Sequence, residues 1–187
     1  MTALVILAAA CTANDDAAPV STPPRQPIAD SAPYICRLVP EQALRLVSGA
    51  TGSLVEKTTG NESSGECRAP DTPPHPLEVD WLRVGDGTSQ EHLDFVMDDR
   101  RQVYSRHDGV TLPTDLGDGL AAYLPNTPFA DQPYRVSAKF RCGSKDRMID
   151  IYLAQVAKGR DAIKDMIELM RIAQKRYGEL YGCTPGK

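Results

Sequence analysis

The chain has 187 residues, of which 41% are hydrophobic and 25% are charged, so it can build one packed domain with some additional chain. Its formal net charge is −4 and its charges form no basic stripe, which argues against nucleic-acid binding. No apolar run in the sequence approaches the roughly 18 residues that a membrane-spanning helix needs.

The N-terminus resembles an export signal. Residues 3–10 form a short apolar run that ends in three alanines directly before Cys11, a pattern typical of a signal peptide. Small residues before a cysteine resemble a lipobox, in which the thiol receives a diacylglyceryl group and the signal is cut before it. We therefore expect a signal peptide over 1–10 and a lipidated Cys11. Because no basic residue precedes the apolar run, we also expect the signal to start further upstream or to have been trimmed.

Residues 11–33 have the composition of a tether. The segment is rich in Ala, Pro, Ser and Thr, and it contains five prolines, which disfavour a helix and favour extended conformations. Such a segment cannot bury enough apolar surface to order itself. We expect a disordered tether here, followed by a single extracytoplasmic domain over 34–187. The competing interpretation is a soluble N-terminal helix with a buried Cys11, and the prolines that follow argue against it.

The remaining cysteines predict two disulfides. They are an even set in a chain that we expect to be exported: Cys36, Cys67, Cys142 and Cys183. Three connectivities are possible, and we favour Cys36–Cys67 and Cys142–Cys183 because each pair joins neighbouring segments. The cysteines have no CxxC spacing and no histidine close to them in sequence, which disfavours a zinc or redox site. We therefore predict no metal and no cofactor.

Apolar periodicity predicts the first elements of the domain. We expect a short helix over 40–47, short strands over 54–59 and 67–69, and a longer strand over 77–84. In the longer strand, apolar side chains alternate onto one face: Leu77, Val79 and Trp81.

A central helix follows. Thr88 and Glu91 have the spacing of a capping box, and Leu93 and Met97 fall on one buried face of the predicted helix. Four consecutive charged residues are expected to form its solvated face: Asp98, Asp99, Arg100 and Arg101.

The C-terminal part predicts a hairpin and a long helix. Strands over 134–142 and 147–154 flank a Gly-Ser-Lys turn, and apolar residues alternate along both: Val136, Ala138 and Phe140, then Ile149, Ile151 and Leu153. An amphipathic helix is expected over 161–181. This order predicts the α+β class, with an antiparallel sheet against which a short N-terminal, a central and a long C-terminal helix pack.

Several short motifs resemble a known family. Residues 36–44, closing on Gly49, resemble the opening of a large actinobacterial lipoprotein family of unknown function. A second cysteine in a strand, here Cys67, and the Leu-Gly-Asp-Gly-Leu-Ala-Ala-Tyr segment at 116–123 are similar to that family as well. The resemblance covers residues 34–181. It implies an α+β envelope domain, and it brings no catalytic residues to this chain.

The sequence offers few candidates for chemistry. The histidines lack HExxH-type spacing and the serines lack a GxSxG context, so we predict no catalytic residues. Three residues of the last predicted helix are candidate linings of an apolar ligand pocket: Met166, Met170 and Tyr177. A core stripe is the competing interpretation of these residues.

These observations lead to one expected function and one alternative. We expect a non-enzymatic lipoprotein on the extracytoplasmic face of the cell membrane. It is anchored to the membrane through its lipid, and it binds an envelope protein or a glycan. The alternative is a carrier or sensor of a small apolar ligand, held between the sheet and the C-terminal helix.

Overall fold

A computed structural model of the chain describes residues 26–70, 73–85, 87–126, 128 and 131–186. The signal peptide predicted over 1–10, Cys11 and most of the predicted tether lie outside these residues.

The described residues adopt an α+β fold with three α-helices and an antiparallel sheet of eight strands. The elements in chain order are β1 (Tyr34–Ile35), β2 (Val39–Pro40), α1 (Glu41–Ser48), β3 (Lys57–Gly60), β4 (Ser64–Ala69), β5 (Leu77–Arg83), α2 (Gln90–Ser105), β6 (Val110–Thr111), β7 (Asp118–Tyr123), β8 (Tyr134–Cys142), β9 (Lys145–Leu153), α3 (Ala162–Tyr181) and β10 (Pro185–Gly186). A 3₁₀ turn over Thr114–Leu116 precedes β7.

The strand order in the sheet is β3-β4-β5-β9-β8-β7-β6, and β10 pairs with the end of β8. β8 and β9 form the predicted hairpin, whose turn contains Gly143 in a left-handed conformation (φ 69°). β1 and β2 form a separate two-stranded ladder. Because β5 pairs with β9, the strands of the N-terminal half join the C-terminal hairpin in one sheet.

Helices pack on both faces of the sheet. α1 and α3 share the larger core with apolar side chains of the central strands, among them Val79, Val136 and Ile151. α2 packs on β7, β8 and β9 of the opposite face, where a smaller core gathers around Leu93 and Met97. On that same face, β4 and β5 carry partly exposed charged side chains, and these residues form the candidate site described below.

The helix boundaries follow local capping chemistry. α1 confirms the short helix predicted over 40–47: it begins after Pro40 and ends at Gly49, which is left-handed (φ 73°). α2 is capped by Ser89, whose hydroxyl accepts a hydrogen bond from the His92 amide at 3.1 Å. The predicted cap, Thr88, lies one residue too early, because its backbone is paired with Gly85.

The structure has the favoured disulfide pairing, Cys36–Cys67 and Cys142–Cys183, with Cα–Cα distances of 5.5 and 5.4 Å. The first disulfide joins the turn between β1 and β2 to β4. The second joins the end of β8 to the segment that follows α3. Each therefore fastens a peripheral segment to the sheet.

Residues 26–33 belong to the segment that the composition predicts to be a tether, yet the structure packs them against the domain. Ile28 contacts the larger core. Asp30 accepts hydrogen bonds from the Tyr34 hydroxyl at 2.9 Å and from Lys175 Nζ on α3 at 2.5 Å. Within the described residues, the packed part of the chain therefore includes Ile28 and Asp30, which precede Tyr34.

Candidate functional site

Acidic side chains form a row across three adjacent strands on the α2 face of the sheet. Glu66 on β4 lies directly opposite Asp80 on β5, and Asp80 lies directly opposite Asp150 on β9. Residues that face each other in this way have Cβ atoms about 5 Å apart, and like charges there are destabilising. We call Glu66, Asp80 and Asp150 the acidic row. Each of its carboxyl groups has to be neutralised or solvated.

A second row of side chains runs beside the acidic row. Arg68, Glu78, Tyr152 and Arg135 lie opposite one another on β4, β5, β9 and β8. Arg68 donates from Nε to Glu78 at 2.9 Å and from Nη2 to Glu66 at 2.8 Å. The Arg135 guanidinium lies 4.3 Å from the centroid of the Tyr152 ring. Arg68 thus neutralises the carboxylates of Glu66 and Glu78.

Asp150 is the most deeply buried member of the acidic row, at 4% exposure. Ser137 donates its hydroxyl proton to Asp150 Oδ1, and Tyr104 on α2 donates in turn to Ser137 Oγ at 2.8 Å. Burial and the charge of Asp150 raise the pKa of Tyr104, which keeps this hydroxyl protonated. Arg100, also on α2, places Nη2 3.5 Å from Asp150 Oδ2. Asp150 therefore has one hydrogen-bond donor, Ser137, and one counterion, Arg100.

Asp80, in the middle of the acidic row, forms none of the ion pairs found among the described residues, and its Oδ1 is buried without a hydrogen-bond partner. Burial raises the pKa of Asp80 to about 8, and three neighbouring carboxylates act in the same direction: Asp150, Glu78 and Glu66. Arg100 lowers this pKa, but its effect is the smaller one. The Asp80 carboxyl group therefore carries a proton at neutral pH.

Buried polar atoms without hydrogen-bond partners concentrate at this place. Among the described residues four such side-chain atoms occur, and three of them belong here: Asp80 Oδ1, Arg100 Nε and Tyr152 Oη. Burial, and next the charge of Asp150, raise the pKa of Tyr152 well above its ordinary value, so its hydroxyl stays protonated beside the Arg100 guanidinium. Because folded proteins rarely leave such atoms unpaired, this concentration marks a candidate site.

The acidic row and the row beside it are open to solvent at the β4 end and closed to solvent beneath α2. The side chains of Arg68 and Glu66 on β4 are 37% and 35% exposed, whereas that of Glu78 on β5 is 14% exposed. Ser137, below α2, is fully buried. A molecule in solvent can thus reach the β4 end, but it cannot reach the hydroxyl of Ser137.

Two groups of described residues bring three potential metal ligands within 4.8 Å of one another. One consists of Glu66, Glu78 and Asp80, which offer carboxylate oxygens only. The other contains Glu56 with the two sulfurs of the Cys36–Cys67 disulfide, which are not available as thiolates. Of these two groups, only the acidic one offers available ligand atoms, and Arg68 already pairs with two of its carboxylates.

The residues proposed from sequence as pocket linings lie in the larger core. Met166 and Met170 are fully buried, and Tyr177 is 3% exposed, with its ring edge-on to Phe140 at 5.6 Å. Tyr177 borders a cavity of about 60 Å³ beside the first disulfide. This cavity is smaller than the roughly 300 Å³ at which ligand pockets begin. An apolar ligand at this place stays a prediction.

Sequence reasoning missed the acidic row, although a signal for it exists. Alternation places Val79, Ile151 and Val136 on the α3 face, so the residues between them have to point to the other face. Those residues include Asp80, Asp150 and Ser137. The expectation that Arg100 belongs to the solvated face of α2 is wrong, because its guanidinium reaches Asp150 beneath the helix.

We expect Arg100→Gln to lower the free energy of unfolding by about 2–3 kcal/mol, because it leaves the buried Asp150 without a counterion. The matched control is Arg101→Gln on the same helix. Arg101 pairs with Asp118 at the surface, where both side chains are more than 40% exposed, so this change should cost less than about 1 kcal/mol. Urea unfolding followed by circular dichroism measures both, and equal losses would contradict the buried pair.

Asp80→Asn tests the protonated carboxyl group. In the unfolded chain Asp80 ionises near pH 4, but in the folded protein its pKa is about 8. Between these values the unfolded state binds fewer protons, so wild-type stability falls as pH rises. We expect the stability of Asp80→Asn relative to wild type to increase from about pH 4 to about pH 8 and then to level off.

Urea unfolding across this pH range, in the presence of a chelator, measures the effect. Asp118→Asn serves as the control, because it removes a carboxylate on the same face of the sheet that is paired at the surface with Arg101. A stability difference between Asp80→Asn and wild type that stays constant with pH would show that Asp80 is already ionised in the folded protein.

Among the described helices, none combines the length and the apolar character needed to cross a membrane. No protein family, curated protein or solved structure matches this chain.

Proposed function

We propose that this chain is a lipoprotein on the extracytoplasmic face of the cell membrane, with a lipid on Cys11 and a domain that acts as a non-enzymatic binding module. The apolar run before Cys11 supports the anchor. The two disulfides suit an oxidising compartment outside the cytoplasm. The short motifs at 36–44 and 116–123, which resemble those of an actinobacterial lipoprotein family, fit the same proposal.

The β4 end of the acidic row is the proposed binding surface. The observation that carries this proposal is the group of buried polar atoms without partners in the acidic row, next to the partly exposed Glu66 and Arg68. Carboxylates and a guanidinium side by side offer acceptors and donors together. That combination suits a polar partner in the envelope, either a protein surface or a glycan.

The cluster supports binding better than hydrolysis. Ser137, Asp150 and Tyr104 form a hydrogen-bonded chain that resembles an activated hydroxyl. However, Ser137 is fully buried and its proton is donated to Asp150, so its oxygen cannot reach a substrate. The chain of hydroxyls therefore fastens α2 to the sheet. The alternative function, a carrier of an apolar ligand, would require the small cavity beside Tyr177 to open.

Cys11→Ser tests the anchor in an actinobacterial host. We expect the wild-type protein in the detergent phase of a membrane extract and the variant in the aqueous phase, because the thioether to the lipid cannot form without the thiol. Intact-mass measurement of the wild-type protein should give a chain that starts at lipidated Cys11 and lacks four hydrogens because of its two disulfides. A Cys11→Ser protein that still partitions with the detergent would contradict a lipid at this residue.

Charge reversal at the proposed surface tests the partner. Cross-linking in intact cells should capture an envelope component with the wild-type protein and lose it with Glu66→Lys, because the reversed charge repels the donor groups that Glu66 would accept from. Glu168→Lys on α3, with an exposed carboxylate of similar exposure (43%), is the control on the opposite face. Capture that is equal for both variants would place the binding surface elsewhere.

A further inference from the structure

We infer that the second disulfide, Cys142–Cys183, is a thiol-exchange site: a dithiol reductant opens it while the domain stays folded and the first disulfide, Cys36–Cys67, stays closed. This inference does not depend on the lipid anchor or on the proposed binding surface. It rests on the different surroundings of the two disulfides and on the short segment that the second one holds.

The two disulfides differ in how far solvent reaches them. Cys36 and Cys67 are 5% and 1% exposed, so the first disulfide is buried at both of its residues. In the second disulfide Cys142 is 6% exposed, whereas Cys183 is partly exposed. Thiol–disulfide exchange requires a thiolate to reach one of the two sulfurs, so access decides which disulfide reacts. Of these four cysteines, Cys183 is the most exposed.

An open groove of about 600 Å³ borders Cys183, and its lining includes three glycines: Gly143, Gly182 and Gly186. A Cβ atom added at any of these glycines would meet no other atom within 4 Å, so the space beside them is open among the described residues. The first disulfide borders a cavity of only about 60 Å³. Ligand sites have volumes of roughly 300–1,000 Å³. A dithiol therefore has room beside the second disulfide and none beside the first.

The second disulfide holds a short terminal segment. β10 consists of Pro185 and Gly186, which pair with the last two residues of β8. Proline has no N–H group to donate, so few hydrogen bonds hold this strand. Chain termini open locally at a small cost in free energy. Cys183 only borders the larger core, whereas both cysteines of the first disulfide belong to it. Residues 183–186 can thus separate from β8 while the helices and the long strands stay in place.

The exchange has two steps, which together move two electrons. A thiolate of the reductant attacks Sγ of Cys183 and forms a mixed disulfide, and Sγ of Cys142 leaves as a thiolate and takes up a proton. The second thiol of the reductant then loses its proton and attacks the reductant's own bound sulfur, so Sγ of Cys183 leaves as a thiolate and is protonated. The reductant ends as a disulfide and this chain ends with two thiols. Reduction thus removes the covalent link between β8 and the segment after α3, and it frees β10.

The test uses the full chain with both disulfides formed and with Cys11→Ser, so that no other thiol takes part. The protein is treated at neutral pH, without denaturant, with dithiothreitol as a small dithiol and with reduced thioredoxin as a protein dithiol. Free thiols are alkylated at intervals and located by peptide mass spectrometry. We expect the cysteines of the second disulfide to be labelled at least about tenfold faster than those of the first. The circular dichroism spectrum should stay unchanged, and hydrogen exchange should become faster in residues 183–186.

The two reductants distinguish the source of the dithiol. Reduction by both supports a protein dithiol as the reductant, because the groove then admits a reactive thiol that is carried on a protein surface. Reduction by dithiothreitol alone supports a small dithiol.

A substitution in the groove tests the path of attack. The backbone of Gly186 is not left-handed and the space beside it is open, so Gly186→Leu should place a side chain in the groove and slow reduction by roughly threefold or more. Gly52→Leu is the matched control, because Gly52 also has open space beside it and does not line the groove. Its rate of reduction should equal that of the protein without this change.

Three results would overturn the inference: no reduction of the second disulfide before the protein unfolds, equal rates for the two disulfides, or equal rates for Gly186→Leu and Gly52→Leu. The double variant Cys142→Ser, Cys183→Ser gives a further check. It should stay folded, as judged by circular dichroism, and keep the first disulfide closed under the same conditions. If it unfolds, the second disulfide is required for the fold and cannot open in the folded protein.

Discussion

The pairing of β5 with β9 is the constraint on which the rest of the structure depends. It joins strands from the two halves of the chain in an antiparallel register that runs from Leu77–Leu153 to Arg83–Arg147. Because side chains alternate with a period of two, this register sets Val79 and Ile151 against α3 and also places Asp80 opposite Asp150. A slip by one residue would exchange the two faces. The apolar core and the acidic row are thus consequences of one register.

The acidic row also contributes to the docking of α2, which packs on the sheet through an apolar core as well. The three carboxyl groups of the acidic row lie side by side on adjacent strands. They are tolerated because each is neutralised in a different way: Glu66 by Arg68, Asp80 by a proton and Asp150 by Arg100. Only the last of these comes from α2, whose Tyr104 also bonds to Ser137 beneath it. Burying such groups costs free energy that an apolar interface would not. Natural proteins retain arrangements of this kind most often at functional sites.

The path of the N-terminal segment constrains how the domain would be oriented relative to the proposed lipid anchor. Residues 26–33 run beside α3 and are fastened there by Asp30 and Lys175. α3 and α2 lie on opposite faces of the sheet. If Cys11 carries the proposed lipid, the chain enters the domain on the α3 side, and the acidic row lies on the other face. The binding surface would then be separated from the point of attachment by the thickness of the sheet and its helices.

The α+β class and the main elements could be predicted from the sequence, because alternation, helical periodicity and capping residues are local signals. The disulfide pairing could be predicted because each pair joins neighbouring segments. The sequence also indicates that Arg100 lies on the buried stripe of α2, because it follows Met97 by three residues and precedes Tyr104 by four. Its charge nevertheless predicts a place on the solvated face of α2, because a charged side chain is buried only where an oppositely charged partner lies close to it. That partner, Asp150, is supplied by the register of distant strands. Strand order and register are set by long-range packing, so only the tertiary structure could assemble the acidic row.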